Sequence, residues 1–324
     1  MTKIYPANSE NIEMAAAAIR SGGIAAFPTE TVYGLGGSAF NPKAIAKIFE
    51  VKKRPFFDPL IVHIADIKTL KELTQDAGKY LMELSKNFWP GPLTVVVPRS
   101  KAVPDIVTSG LPTVAIRMPS HPVALELIRR TGLPIAAPSA NPFGGLSPTR
   151  AEHVLEGLGK NIEIILDGGP CEIGIESTII KIENERTTLL RHGGLPVEEI
   201  QKITGAINTA NDTITEAPGM LPYHYAPLKP LKIFASPKDM DFHDKEAAFL
   251  FFKEPDDGFA DFLDKERLAV MSSTGDLKEA AANIFHCLHK LDASSAKKIY
   301  AEAVPEEGLG LAVMDRLIKA SRRV

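Results

Sequence analysis

Pro28-Thr-Glu-Thr-Val-Tyr-Gly-Leu-Gly36 follows Ile24-Ala-Ala-Phe27, an apolar run that reads as a buried strand. Two threonines, a glutamate and a tyrosine crowd its exit, and Gly34, Gly36 and Gly37 let backbone approach closely. A polar turn closing a βα unit explains such a run, and so does a binding loop, since loops after strands carry function. The choice rests on whether the rest of the chain supplies partners.

Upstream, Asn11–Arg20 is alanine-rich and reads as a helix stopped by Gly22-Gly23. Strands are predicted at Gly23–Phe27, Leu60–Ile64, Thr94–Val97, Thr113–Met118, Ile135–Ala137, Glu163–Leu166, Ser177–Ile182 and Thr188–Arg191. Helical patterns at Pro42–Glu50, Ile67–Leu73, Tyr80–Phe88 and His121–Thr131 lie between them. A further helix starts at Thr149, where Thr149-Arg-Ala-Glu152 has the form of a capping box. Alternating strands and helices predict an α/β fold, and β elements clustered late in the region predict a mixed, twisted sheet flanked by helices. Residues 1–205 form this domain, and 206–230 read as a linker with four prolines between Pro218 and Pro230. Met220, Tyr223, His224 and Tyr225 are more than a passive spacer needs, so the linker is a candidate lid or an aromatic-anchored tether. Residues 231–324 read as a smaller Rossmann-like βαβ domain, with strands at Leu231–Ala235, Ala247–Phe252, Leu268–Met271 and Lys298–Ala301. Its helices are a segment around Leu277–Leu291 and Leu311–Ala320. Gly308-Leu-Gly310 lacks the third glycine and preceding strand of a dinucleotide fingerprint.

Composition sets limits. A chain of 324 residues, 44% hydrophobic and 24% charged, can build a sizeable core in two domains. The net charge of −3 and pI of about 6.3 exclude an overall basic field for nucleic acid. Cys171 and Cys287 stand far apart without a CxxC or a histidine cluster, which argues against a zinc site or disulfide framework and for a reducing compartment. With no signal-peptide core and no apolar run of about 18 residues, the expectation is a cytoplasmic protein without a membrane segment.

No P-loop, GxSxG elbow, HExxH or kinase motif is present. What remains is a set of cations at strand and helix ends (Lys52, Lys53, Arg54, Arg117, Arg191) and small polar residues at similar places (Thr113, Ser139, Asn141, Ser147, Ser177). Arg117 shares one strand face with Thr113 and Ala115 and needs a counter-anion, either a glutamate such as Glu30 or Glu176 or a ligand. Lys52-Lys-Arg-Pro55 is a solvated helix end or part of an anion pocket. His63, one polar residue in an apolar strand, is more often a satisfied core residue than a ligand. Several such sites in one domain point to an anionic ligand such as a nucleoside triphosphate.

Seven motifs occur in one order: Pro28–Gly36; Lys52-Lys-Arg-Pro55 with Pro59-Leu60; Trp89-Pro-Gly-Pro-Leu-Thr94; Arg117-Met-Pro119; Ala137-Pro-Ser-Ala-Asn141; Glu176-Ser-Thr-Ile179; and Arg191-His-Gly-Gly194. Together they resemble the YrdC-like L-threonylcarbamoyladenylate synthases, in the longer two-domain form. The resemblance is strong over about residues 1–230 and a matter of layout beyond. It implies a nucleotidyltransferase that joins L-threonine, bicarbonate or CO2, and ATP into threonylcarbamoyl-AMP and pyrophosphate, with magnesium on the phosphates and no protein-held metal. Downstream transferases then modify tRNA, which this protein meets only indirectly or transiently. By position, the resemblance implies that Thr31, His63, Arg117, Ala137 and Ser177 hold threonine. It likewise implies that Lys52, Arg54, Asp58, Thr113, Ser139, Asn141, Ser147, Arg191 and Tyr225 hold ATP, with Lys52 and Arg54 the catalytic pair. Two departures stand out: Asp58 replaces a usual asparagine, and Pro222 takes the place of the first linker tyrosine. The alternatives are a non-catalytic RNA-binding module of the same fold, which would need a basic face, and a carbamoyl-transferring maturation enzyme, which would need added zinc-finger-like cysteines.

Overall fold

The glycine-rich end of Pro28–Gly36 is itself a strand. In the computed structural model, which describes residues 2–76, 78–184, 186–209, 216–235, 240–241, 243–255 and 264–322, the chain divides into two compact units. The first comprises Met1–Phe143, Pro148–Glu172 and Glu176–Leu221; the second comprises Gly144–Ser147, Ile173–Ile175 and Pro222–Val324. The expected linker is thus divided: its first strand-forming residues and the stretch to Leu221 belong with the first unit, Pro222 onward with the second, and 210–215 lie outside the described residues.

The first unit is built on one mixed sheet. Its strands are β1 (Lys3–Pro6), β2 (Ala25–Phe27), β3 (Gly34–Ser38), β4 (Ile61–His63), β5 (Leu93–Pro98), β6 (Thr113–Arg117), β7 (Ile135–Ala136), β8 (Ile164–Asp167), β9 (Thr178–Glu183), β10 (Arg186–Arg191) and β11 (Ile207–Thr209), ordered β1-β8-β2-β3-β7-β4-β6-β5-β9-β10-β11. The helices are α1 (Ser9–Arg20), α2 (Pro42–Lys52), α3 (Leu70–Leu73), α4 (Gly78–Phe88), α5 (Asp105–Thr108), α6 (Pro122–Thr131), α7 (Ala151–Leu158) and α8 (Val197–Thr204). Three strands carry no apolar alternation to announce them: β1 and β11 are short and end-lying, and β3 is mostly glycine.

Strand periodicity sorts side chains onto two faces. Val62, Val95, Val97, Val114 and Ile116 point to the main core, where α2, α3, α4, α5, α7 and α8 bring Ile48, Leu73, Leu81, Val107, Val154 and Ile200. On the other face, α1 and α6 cover the half that carries Ala25, Phe27, Ile135 and Ile164. The remaining half shows Ile61, Val96, Ala115, Ile179 and Leu190, capped by Ala217 and Met220 from the start of the linker. Local signals set the helix that matters most. Asn41 caps α2 by accepting from Lys43 and Ala44 backbone N–H groups, and Pro42 suits its first turn. Lys53, in the left-handed region with φ 53°, ends it. The capping box expected at Thr149 does not form: α7 starts at Ala151, and the Thr149 N–H donates to His153 Nδ1 at 3.2 Å.

The second unit has β12 (Leu231–Phe234), β13 (Ala247–Phe251), β14 (Leu268–Val270) and β15 (Lys298–Glu302), all paired in parallel in the order β12-β15-β13-β14, with α9 (Leu277–Ala293) and α10 (Leu309–Ser321). Phe234, Phe249, Phe251 and Tyr300 pack together at its centre.

The glycines of β3 serve packing rather than a ligand. A Cβ on Gly36 would lie 2.5 Å from Ile135 Cγ2 and 2.7 Å from Phe27 Cε1, closer than carbon atoms tolerate. Gly36→Ala is therefore expected to lower unfolding free energy by about 1–3 kcal/mol, the usual scale of core overpacking. Chemical denaturation of the variant beside the parent checks this; equal midpoints would mean that β2 and β7 yield freely.

Candidate active site

The uncovered half of the sheet face ends in polar side chains. Alternation places His63 with Ile61, Thr94 with Val96, Arg117 with Ala115, and Ser177 with Ile179 on that face. Strand register puts them side by side: His63 pairs with Arg117 across β4 and β6, and Arg117 with Thr94 across β6 and β5.

At the first end of this row Thr29 shapes a tight turn. Its Oγ1 donates to the Val32 carbonyl at 2.6 Å and accepts from the Thr31 and Val32 N–H groups. That turn buries Glu30 and Thr31 against Arg117. Arg117 Nη2 lies 2.7 Å from Glu30 Oε1, Nη1 donates to Thr31 Oγ1 at 2.9 Å, and Nε donates to the Gly91 carbonyl at 3.3 Å. Of the two glutamates open on the sequence, Glu30 is thus the counter-charge. Beside the guanidinium, burial and the Arg117 charge push the His63 pKa down to about 3. His63 is neutral at physiological pH.

At the other end, Ser177 Oγ shares a hydrogen bond with Thr94 Oγ1 at 2.7 Å. Arg191 wraps the same residue, with Nε and Nη2 donating to the Ser177 carbonyl at 3.2 and 2.9 Å and Nη2 to its hydroxyl at 3.2 Å. Arg191 Nη1 donates to the Pro218 carbonyl at 3.0 Å. The glycine that follows has a packing reason: a Cβ on Gly193 would lie 2.3 Å from the Ser177 carbonyl carbon.

The α2 terminus supplies the remaining cations. Lys52 is buried, and its Nζ donates to the Ser139 carbonyl at 2.6 Å and to that of Asn141. Burial, and then the Arg54 charge, lower its pKa well below the usual lysine range. The left-handed turn at Lys53 carries the chain to Arg54, which donates to the carbonyls of Asp58 and Pro59 at 3.0 and 2.8 Å and meets Asp58 Oδ2 at 2.9 Å. Burial raises the Asp58 carboxyl pKa against the pull of Arg54. Lys53 is exposed, so only one residue of the basic run is the solvated helix end. Ser139 is bridged to Gly34, and the Ala137 N–H donates to Ile61 at 3.0 Å, which brings β7's exit beside β4 and the Pro28–Gly36 run.

Thr113 opens β6, four residues and about 13 Å from Arg117. Ser147 and Tyr225 belong to the second unit. There the Ser147 carbonyl lies 3.2 Å from His289 Nε2. Tyr225, with φ 60°, is buried between His224 and Phe285, and the Arg316 guanidinium lies 5.1 Å from its ring centre. Sequence reasoning missed Thr94, whose strand position beside Arg117 was the available signal, and left Glu30 as one of two counter-ions. Among the described residues no group of three or more His, Cys, Asp and Glu could hold a metal ion, and no helix is long and apolar enough to cross a membrane.

Residues 17–193 match a family model described as telomere recombination, which spans the Sua5, YciO and YrdC proteins, and residues 195–322 match the C-terminal domain of threonylcarbamoyl-AMP synthase. The threonylcarbamoyl-AMP synthase of Pyrococcus abyssi is 45% identical over 321 residues, covering 96% of this chain and 94% of its own. That of Bacillus subtilis is 43% identical over 329 residues, covering 97% and 94%. The chain belongs to the threonylcarbamoyl-AMP synthase family. It has the two-domain form of these enzymes: the solved structure of P. abyssi Sua5 complexed with L-threonine aligns with a TM-score of 0.89 at 40% identity, covering 99% of this chain and 97% of that one. Family membership supports the catalytic reading, not that of an RNA-binding module.

Within this synthase the state of His63 is measurable. The unfolded chain takes up a proton on this residue below about pH 6.5, whereas the folded chain does so only near 3. Stability is therefore fully present above pH 6.5 and declines as pH falls through that window. Urea unfolding across the window should show a steeper decline in the parent than in His63→Gln, by up to about 1.4 kcal/mol per pH unit. Parallel slopes would mean that the ring is protonated in the folded state.

Proposed function

We propose that the chain catalyses the reaction its family is named for, joining L-threonine, bicarbonate or CO2, and ATP into threonylcarbamoyl-AMP and pyrophosphate. The observation that carries this reading is a set of buried cations, Arg117 and Arg191 held at Thr31 and Ser177 and Lys52 and Arg54 at and just past the end of α2, with no activated nucleophile among them. Such a set suits a reaction in which the substrate brings its own nucleophile. Threonine carboxylated on nitrogen is a carbamate; its oxygen attacks the α-phosphorus of ATP, forming the new O–P bond as the bond to pyrophosphate breaks. The protein's part is positioning and charge neutralisation.

In this reading Thr31, His63, Arg117, Ala137 and Ser177 form the threonine side, with Arg117 on the carboxylate and His63 a neutral partner. Lys52, Arg54, Ser139, Asn141 and Arg191 form the ATP side, and Lys52 and Arg54 neutralise charge as pyrophosphate leaves. A triphosphate would favour the Lys52 ammonium, which burial disfavours. Asp58, Thr113, Ser147 and Tyr225 are assigned to ATP on the resemblance alone. Asp58 already neutralises Arg54 at 2.9 Å, so an acid in place of the usual asparagine moderates the cation offered to phosphate. Magnesium fits as a companion of the phosphates, held largely by phosphate oxygens and water. When bound it would offset phosphate charge.

Carbamates and mixed anhydrides decompose in water, which favours a cover, and the 206–230 linker is the candidate. Arg191 bonding to Pro218 and the packing of Ala217 and Met220 on the same sheet face support that role for its described first part. The product passes to a downstream transferase that modifies tRNA, which this protein meets only indirectly or transiently. Two buried free thiols, Cys171 and Cys287, are consistent with a cytoplasmic setting.

Purified protein is expected to release pyrophosphate from ATP only when L-threonine and bicarbonate are both supplied; release indifferent to threonine would defeat the assignment. Arg117→Ala is expected to weaken L-threonine binding by about tenfold or more, the scale of one charge-assisted hydrogen bond, while changing ATP affinity far less. Calorimetric titration of both ligands into the same variant decides this, and equal losses would remove Arg117 from the threonine side.

A further inference from the structure

Glu30 is the acidic side chain that pairs with Arg117 among the described residues, and the function proposed above leaves it only that structural duty. Its side chain is 4% exposed, and Oε1 lies 2.7 Å from Arg117 Nη2. Yet neither Glu30 oxygen, nor Nη2 itself, completes a hydrogen bond of regular geometry. The contact is a pairing of charges with the carboxylate's lone pairs left open. Arg117 cannot turn to meet them, because Nη1 is committed to Thr31 Oγ1 and Nε to the Gly91 carbonyl.

The surroundings offer no replacement. Besides Arg117 on β6, the groups that sense the Glu30 charge are His121, at the cap of α6, and Cys171. Burial lowers the His121 pKa, opposed by Glu30 and Glu172, and raises that of Cys171, opposed by Arg117 and Arg150. His121 is thus a neutral imidazole and Cys171 a thiol at neutral pH. His63, paired with Arg117 across β4 and β6, is neutral too.

An amino acid arriving at Arg117 changes this balance. Its carboxylate takes over the guanidinium, and Glu30 loses the one cation it pairs with among the described residues. A buried carboxylate without one is costly, so the ligand must bring a replacement, and the α-ammonium is that group. The same nitrogen must then lose a proton before it can form a carbamate. Resting on the threonine reading above, we propose that Glu30 accepts the substrate's α-ammonium and takes its proton, which makes it a specificity and general-base residue for carbamate formation. Glu30 takes one ammonium proton, and the freed nitrogen lone pair forms the N–C bond to bicarbonate. The bicarbonate hydroxyl leaves as water with the nitrogen's second proton, giving the carbamate and a neutral Glu30 carboxylic acid. No unpaired negative charge is then left against the new anion.

The test uses full-length protein and two probes, L-threonine and 2,3-dihydroxybutyrate, which keeps the carboxylate and β-hydroxyl but carries a hydroxyl in place of the ammonium. The parent should prefer L-threonine by at least tenfold in calorimetric titration, and Glu30→Gln should shrink that preference to threefold or less, as about 1.4 kcal/mol separates each tenfold step. In pyrophosphate release with all substrates saturating, Glu30→Gln should fall by about a hundredfold near neutral pH, the lower range for a lost general base. Its rate should then climb about tenfold per pH unit as solution supplies free amine, while the parent rises less steeply. An undiminished preference in Glu30→Gln, or a deficit equal at every pH, overturns the proposal. Should Glu30→Gln not fold, Glu30→Asp replaces it: threonine preference kept with a lowered rate is expected, and an unchanged rate overturns the role. If the parent itself fails to bind L-threonine, it is the functional reading that falls; threonine-dependent release with an unaltered preference in the variant sinks only Glu30.

Discussion

A guanidinium buried inside a sheet must be matched by negative charge, and much of the site's geometry follows from how Arg117 is matched. Its β6 position is fixed by the ladder, so the partner has to come to it. The partner comes from the turn after β2, where Thr29 spends its hydroxyl on three backbone groups to hold Glu30 and Thr31 in place. An unpaired charge at such depth would cost several kcal/mol or so. The turn is therefore as much a condition of folding as a part of the site. The neutral state of His63 comes first from its burial and then from the Arg117 charge beside it.

The site occupies that half of the sheet face because α1 and α6 cover the other half. Where no helix of the first unit covers the strands, apolar alternation continues through Ile61, Val96, Ala115 and Ile179. It then gives way to His63, Thr94, Arg117 and Ser177 as the strands end. Backbone spacing serves this arrangement from beneath. Gly36 lets β3 lie against Ile135 and Phe27, and Gly193 lets the chain pass over Ser177 while Arg191 bonds to it. These glycines bring protein to protein, and the site is the by-product of tight packing rather than of a loop left open for phosphate.

How much of this is legible in sequence depends on the kind of signal. Apolar strands such as β5 and β6 announce themselves by β-branched runs, and α2 by Asn41-Pro42. Gly34–Ser38 cannot, because a strand made of glycine has no side-chain pattern; its identity comes from the neighbours that forbid anything larger. Thr149 shows one local pattern losing to another, its N–H going to the ring of His153 four residues on. Lys52-Lys-Arg-Pro55 reads identically whether its cations are solvated or buried, and only the carbonyls of Ser139 and Asn141, far along the chain, decide. The choice between Glu30 and Glu176 for Arg117 is of the same kind. Motif order names candidates for the site, but it carries no information on partition. Ser147 lies eight positions after Ser139, yet it sits with the second unit.

Every cation of the site already has an internal acceptor: carbonyls for Lys52, Asp58 and carbonyls for Arg54, Glu30 and Thr31 for Arg117, Ser177 and the Pro218 carbonyl for Arg191. On the function proposed above, anionic substrates therefore bind by exchange rather than by filling a bare positive cavity. Exchange lowers the gain from any single charge, since an existing contact is weakened as the new one forms. It also raises selectivity, because a ligand must offer acceptors to several cations at once while satisfying the groups it displaces. An anion that engaged Arg117 alone would strand Glu30 in a buried, unpaired state, whereas a zwitterion leaves both ends matched. The site's internal pairs thus act as a filter on charge pattern as well as on charge, and the residue that enforces the filter is the acidic one in a row otherwise chosen for its cations.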